Sequence, residues 1–166
     1  MNPHKICKSR DTWSSSTQSW PTLWKLHESG ELETGIAEID CDHRNLVTLI
    51  GQLNAAIIWR MGIDKVSDAM QALIDDATKR FTREVTLLAL SGYPEVDQHA
   101  KHHSETMTRL RKIMYGLGRD TPEHLWIEAG LNVKRLLIDH LLTEDMKYRD
   151  YFKNPHSSKE LTMTAE

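Results

Sequence analysis

The sequence predicts an all-α protein: an up-and-down four-helix bundle preceded by an N-terminal arm. Two observations carry that reading. Four stretches repeat apolar residues at intervals of three and four, the period of a helix with one buried face. Short turns containing Gly or Pro separate them. Strand-like alternation of useful length is absent, and so is any internal repeat. A third observation bears on function. Histidines and acids interrupt the apolar faces, where an unpaired charge or imidazole is costly.

Each element follows from local signals. Residues 1–21 are rich in Ser and Thr without periodicity, so they read as a flexible tail; 22–155 form the domain and 156–166 a polar C-terminal tail. Trp20, Trp24 and Leu26 mark an arm that packs on the domain. The first helix is expected over 41–60, with Asp40 or Asp42 as cap. Its face is Leu46, Val47, Ile50, Leu53, Ala56 and Ile57, with His43 at the head. Spacing puts the second helix over 66–90, with Val66, Met70, Leu73, Ile74, Ala77, Phe81 and Leu88 in its stripe. Glu84 falls within that stripe and Arg80 borders it; Gly92 and Pro94 stop the helix. A third helix over 94–117 carries His99, His103, Met107, Leu110, Ile113 and Leu117 on one face. The fourth starts at 122, where Thr121 caps and Pro122 takes the first helical position. Trp126, Ala129, Val133, Leu137, His140 and Leu141 form its face; Asp145, Tyr148 and Phe152 follow, and Asn154-Pro155 closes the domain. Trp59, Trp126 and the methionines read as core, and Gln98, Lys101 and His102 as solvated neighbours.

Composition narrows the function classes. A formal charge of −3 leaves no basic footprint for nucleic acid. No apolar run approaches the ~20 residues of a membrane span, and the first residues lack the apolar core of a secretory signal. Cys7 and Cys41 make no disulfide framework. A reducing, cytoplasmic location fits these features. Nine histidines are the compositional oddity, and they direct attention to metal ligation.

The polar groups on the inward faces are His43 on the first helix, Glu84 on the second, His99 and His103 on the third, and His140 and Asp145 on the fourth. His99 and His103 stand four apart, so both imidazoles share a helix face. An up-and-down topology brings all four places to the same end of the bundle. Taken singly, His43 reads as a satisfied or surface histidine and Glu84 as a solvated helix-end charge. Asp145 lies about 140° round an ideal helix from His140, so spacing alone does not recruit it. Six such groups on four facing helices are hard to explain as packing, and they point to a metal.

These residues resemble the hemerythrin family, its bacteriohemerythrin branch. The resemblance rests on Thr34-Gly35-Ile36-x-x-Ile39-Asp40-x-x-His43, Phe81-x-x-Glu84, Gly92-Tyr93-Pro94 with His99-x-x-x-His103, and His140-x-x-x-x-Asp145-x-x-Tyr148. It spans about residues 24–152. It implies a four-helix bundle with a non-haem di-iron centre that binds O₂ reversibly. His99, His103 and His140 would hold one iron, and Glu84 and Asp145 would bridge to a second. His43 would ligate that second iron, where O₂ binds.

One departure matters. The family's other ligand to the second iron falls on Arg80, in Arg80-Phe81-Thr82-Arg83-Glu84. Arginine stays protonated and offers no lone pair. Asp42 also stands where the family often has Gln. Three outcomes are open for Arg80. Another ligand such as water or Asp76 completes a di-iron site; the guanidinium replaces the second cation and leaves a mononuclear site; or the site holds no metal. Should Arg80 rotate outward along its stem, the first outcome is favoured.

The leading expectation is therefore a binding protein rather than an enzyme, with iron as cofactor and O₂ as ligand for storage, delivery or sensing. Alternatives are a mononuclear or metal-depleted regulatory module, or an iron enzyme that activates O₂ or peroxide. No separate acid–base pair or substrate motif supports the enzyme.

Overall fold

The computed structural model describes residues 33–118 and 120–153. Four long helices make up these residues: α1 (Ala37–Ile58), α2 (Ile63–Leu90), α3 (Val96–Tyr115) and α4 (Glu123–His140). The last continues through a π-helical turn, Leu141–Asp145, into α5 (Met146–Lys153). Each long helix packs on its sequence neighbours, α1 closes the ring against α4, and α2 meets α4 across the diagonal. This is the expected up-and-down bundle. The expected arm at Trp20, Trp24 and Leu26, both tails, Cys7 and the stop at Asn154-Pro155 lie outside the described residues.

Helix α1 begins at Ala37, earlier than expected, and neither Asp40 nor Asp42 caps it; the N-cap is Ile36. Asp40 sits in the first turn and works backward. Its Oδ1 accepts from the Thr34 backbone N–H at 2.7 Å and the Thr34 hydroxyl at 2.8 Å, and its Oδ2 accepts from the Gly35 N–H at 3.2 Å. The acid at a helix N-terminus is also favoured by the peptide dipoles. At the next reversal Gly92 holds φ +73°, a conformation that costs a side chain 1–2 kcal/mol or so. That turn sets the approach to His99.

Two apolar clusters fill the bundle. The larger holds Leu46, Leu53, Leu73, Phe81, Met107, Leu137 and their neighbours. The smaller holds Ile39, Leu88, Tyr93 and Tyr148. Between them, on every helix, lies the polar set. Along α1 the order is Ile39, His43, Leu46; along α2, Phe81, Glu84, Leu88. The polar layer is thus sealed above and below by apolar side chains. Trp126 is core as expected, but Trp59 is 69% exposed in the turn after α1. That turn needs Arg60 at φ +47° and Gly62 at φ +92° to reverse the chain, which carries Trp59 off the buried face. Among the described residues, no helix is long and apolar enough to cross a membrane.

Candidate metal centre

His43, Glu84, His99, His103, His140 and Asp145 all converge in the layer between the two apolar clusters, and none exceeds 5% exposure. One ligand atom from each of Glu84, His99, His103, His140 and Asp145 lies within 4.8 Å of all the others. Donors on opposite sides of an ion with bonds of about 2.1 Å stand about 4.2 Å apart, so the five atoms are compact enough to share one ion. His43 stands just outside this group. Its Nε2 is 3.3 Å from Asp145 Oδ2 and 3.4 Å from the Tyr148 hydroxyl.

The π-helical turn explains how Asp145 joins. In an α-helix the fifth residue after His140 points away. Bonding of the i→i+5 type widens the turn and returns that residue to the same face. Asp145 Oδ1 consequently lies 3.1 Å from His140 Nε2 and 3.6 Å from His99 Nε2. Phe81 fixes the imidazoles from below. Its ring stacks on His103 at 3.8 Å and 6°, and tilts against His140 at 4.9 Å.

Both carboxylates are divided in the same sense. Glu84 Oε1 faces His99 at 2.8 Å and His103 at 3.7 Å, while Oε2 faces Arg80 Nη1 at 3.6 Å. Asp145 Oδ1 faces His140 and His99, while Oδ2 faces Arg80 Nη1 at 3.6 Å and His43. Each acid therefore offers one oxygen to the three-histidine group and the other to a guanidinium. Arg80 does not turn outward. It is 0% exposed, with Cζ 4.8 Å from the Phe81 ring centroid. Asp76 does not join the group; its Oδ1 accepts from Asn45 Nδ2 at 2.6 Å.

Electrostatics prepare His103 for a cation. Burial, then the neighbouring His99 and His140, pushes His103 down to about 2, so its ring is neutral as a metal ligand must be. Burial alone would raise Asp145, but His140 and His43 outweigh it and hold the carboxyl well below its usual range. Burial, with the Asp145 and Glu84 charges, raises Tyr148 well above a normal phenol. On the histidine side, His103 Nε2, His140 Nε2 and Asp145 Oδ1 are buried without a hydrogen-bond partner, as are the three guanidinium nitrogens of Arg80 on the other side. Buried polar atoms seldom go unsatisfied, and neutral imidazoles with carboxylate oxygen are a donor set that iron accepts. The residues present thus fit one such ion. On the other side of both carboxylates stands Arg80, which has no lone pair to give a metal.

Some supporting residues were not singled out from sequence. His102, expected to be solvated, instead pairs through Nδ1 with Glu144 Oε2 and ties α3 to the π-helical turn. Arg83 binds Asp42 through Nε at 2.9 Å and clamps α2 to α1 beside His43. Tyr148 carried a motif signal but no role; it is fully buried above His43.

Comparison with known proteins agrees with this fold. Residues 34–151 match the family model of the hemerythrin HHE cation binding domain. A bacteriohemerythrin of Pseudomonas aeruginosa (strain LESB58) is 29% identical over 135 residues, covering 79% of this chain and 82% of that protein. Another, from Stenotrophomonas maltophilia (strain R551-3), is 26% identical over 123 residues, covering 74% and 78%. The family match runs through all four long helices and takes in the whole buried polar layer, and the chain belongs to the hemerythrin family.

Proposed function

We propose that this chain is a single-ion member of its family: a non-haem iron-binding protein in which Arg80 takes the place of a second metal. His99, His103 and His140 hold the ion with carboxylate oxygen from Glu84 and Asp145. His43, left without a second ion to bind, supports Asp145 Oδ2 instead. The observation that carries this reading is the division of both carboxylates, each with one oxygen toward the histidines and one 3.6 Å from Arg80 Nη1. A bridging carboxylate has the same division, with a cation on either side.

The bound ion supplies a Lewis-acidic, redox-capable centre; the chain's own residues position it, keep it dry and balance its charge. The O₂ storage, delivery or sensing role rests on the family relation alone. Arg80 stands at the O₂-binding side of the centre, so reversible O₂ binding of the di-iron kind is weakened here. We read the protein as a cytoplasmic binding module rather than an enzyme. The test is iron loading of the purified chain, with iron counted per chain and spectra taken with and without O₂. One iron and no reversible O₂ spectrum are expected. Two irons with reversible O₂ spectra would overturn the single-ion reading, and sustained peroxide or O₂ turnover would overturn the binding role.

A further inference from the structure

The place taken by Arg80 also fixes the charge of the layer. Glu84 and Asp145 contribute two negative charges and Arg80 one positive, all at 0–1% exposure. Counting these three side chains alone, the sum is −1. A divalent ion brings the layer to +1 and a trivalent ion to +2. Apolar clusters close the layer on both sides, so water does not screen the difference, and a low effective dielectric enlarges it. The nearest acid on the outer side of Arg80 is Asp76, one helical turn before it. It is partly exposed and already engaged by Asn45. Burial raises its pKa and the nearby Arg80 charge opposes that rise, while its partial exposure lets water screen its charge from the layer.

We propose that Arg80 is the specificity-determining residue for ion charge: its buried guanidinium, 3.6 Å from both ligand carboxylates, makes the centre favour divalent over trivalent ions and hold iron in the ferrous state. A second metal in the same place could be lost or change its own oxidation state. Arginine keeps its proton throughout the working pH range, so this charge is permanent. Other elements set the guanidinium in place. Phe81 lies under it, and the Asp42–Arg83 pair ties α1 to α2.

The inference rests on the single-ion reading, and its test separates the two. Intact chain, Arg80→Met and Arg80→Lys would each receive less than one equivalent of iron without oxygen. The ferric–ferrous potential is then read by mediator titration, and bound iron is counted in parallel samples of each protein loaded to saturation. Zn(II) and Ga(III) affinities, measured by calorimetry, report ion charge without any electron transfer. The intact chain should favour the divalent ion over the trivalent one at least tenfold more than Arg80→Met does. That ratio corresponds to a potential higher by about 59 mV for a one-electron couple. Arg80→Lys, which keeps a positive charge, should stay with the intact chain. Equal potentials and equal Zn(II)/Ga(III) ratios, with one ion per chain, would overturn the inference alone. Two irons in the intact chain would overturn both it and the single-ion reading. Arg80→Gln, also uncharged, takes the place of Arg80→Met if that variant does not fold.

Discussion

Arg80 is a buried cation with two buried anions at 3.6 Å. Its sequence signal was ambiguous because a long stem on the border of an apolar stripe can deliver its head either to solvent or to the core. What decides the direction is the pair of acids across the helix face, and Asp145 could not be placed there by spacing. Removing one partner of a buried ion pair leaves the other charges uncompensated, at a cost of about 3–5 kcal/mol. Arg80→Met should therefore lose that much stability in the metal-free chain, measured by denaturant unfolding. A loss below about 1 kcal/mol would mean that the guanidinium is not balancing the acids. Arg80→His removes the fixed charge and adds an imidazole beside His43. The saturating metal content should rise from one ion per chain to two; no increase would refute the idea that Arg80 alone displaces the second ion.

At the scale of elements, the π-helical turn is the feature that spacing rules misread. The five-residue interval from His140 to Asp145 belongs to two faces of an α-helix and to one face of a π turn. Nothing in Leu-Leu-Thr-Glu announces the wider turn. The four long helices were legible because their apolar stripes are regular, and His99 with His103 because four is the α-helical interval. Deleting the partly exposed Leu142 should restore α-helical bonding and place the acid four residues after His140, still on the same face. That variant should keep one bound ion per chain. Deleting Glu128 within regular α4 should instead rotate His140 off the layer and abolish binding. Equal loss of metal in both deletions would contradict the role given to the turn. The Asp42–Arg83 clamp is half exposed at the arginine, so Arg83→Ala should cost less than about 1 kcal/mol in thermal or denaturant unfolding.

For the whole molecule, a polar layer held between two apolar ones links folding to pH and to metal. His103 titrates near 6.5 when unfolded but only near 2 in the folded, metal-free chain. Between those values the unfolded state carries the extra proton. Stability therefore falls as pH drops below about 6.5, by up to about 1.36 kcal/mol per pH unit for that one proton. Asp145, held below its usual range, acts in the same direction below about 3.9. Unfolding curves of the metal-free chain at pH 7.5 and 5.5 check this, and equal midpoints would contradict it. The bound ion should raise the unfolding midpoint by mass action, since it binds the folded state alone. The most direct test of the single-ion account is anomalous diffraction at the iron edge from crystals of the iron-saturated chain. The account predicts one peak, among His99, His103 and His140, with the Arg80 side chain ordered against Glu84 and Asp145. A second peak between His43 and the two carboxylates would contradict it.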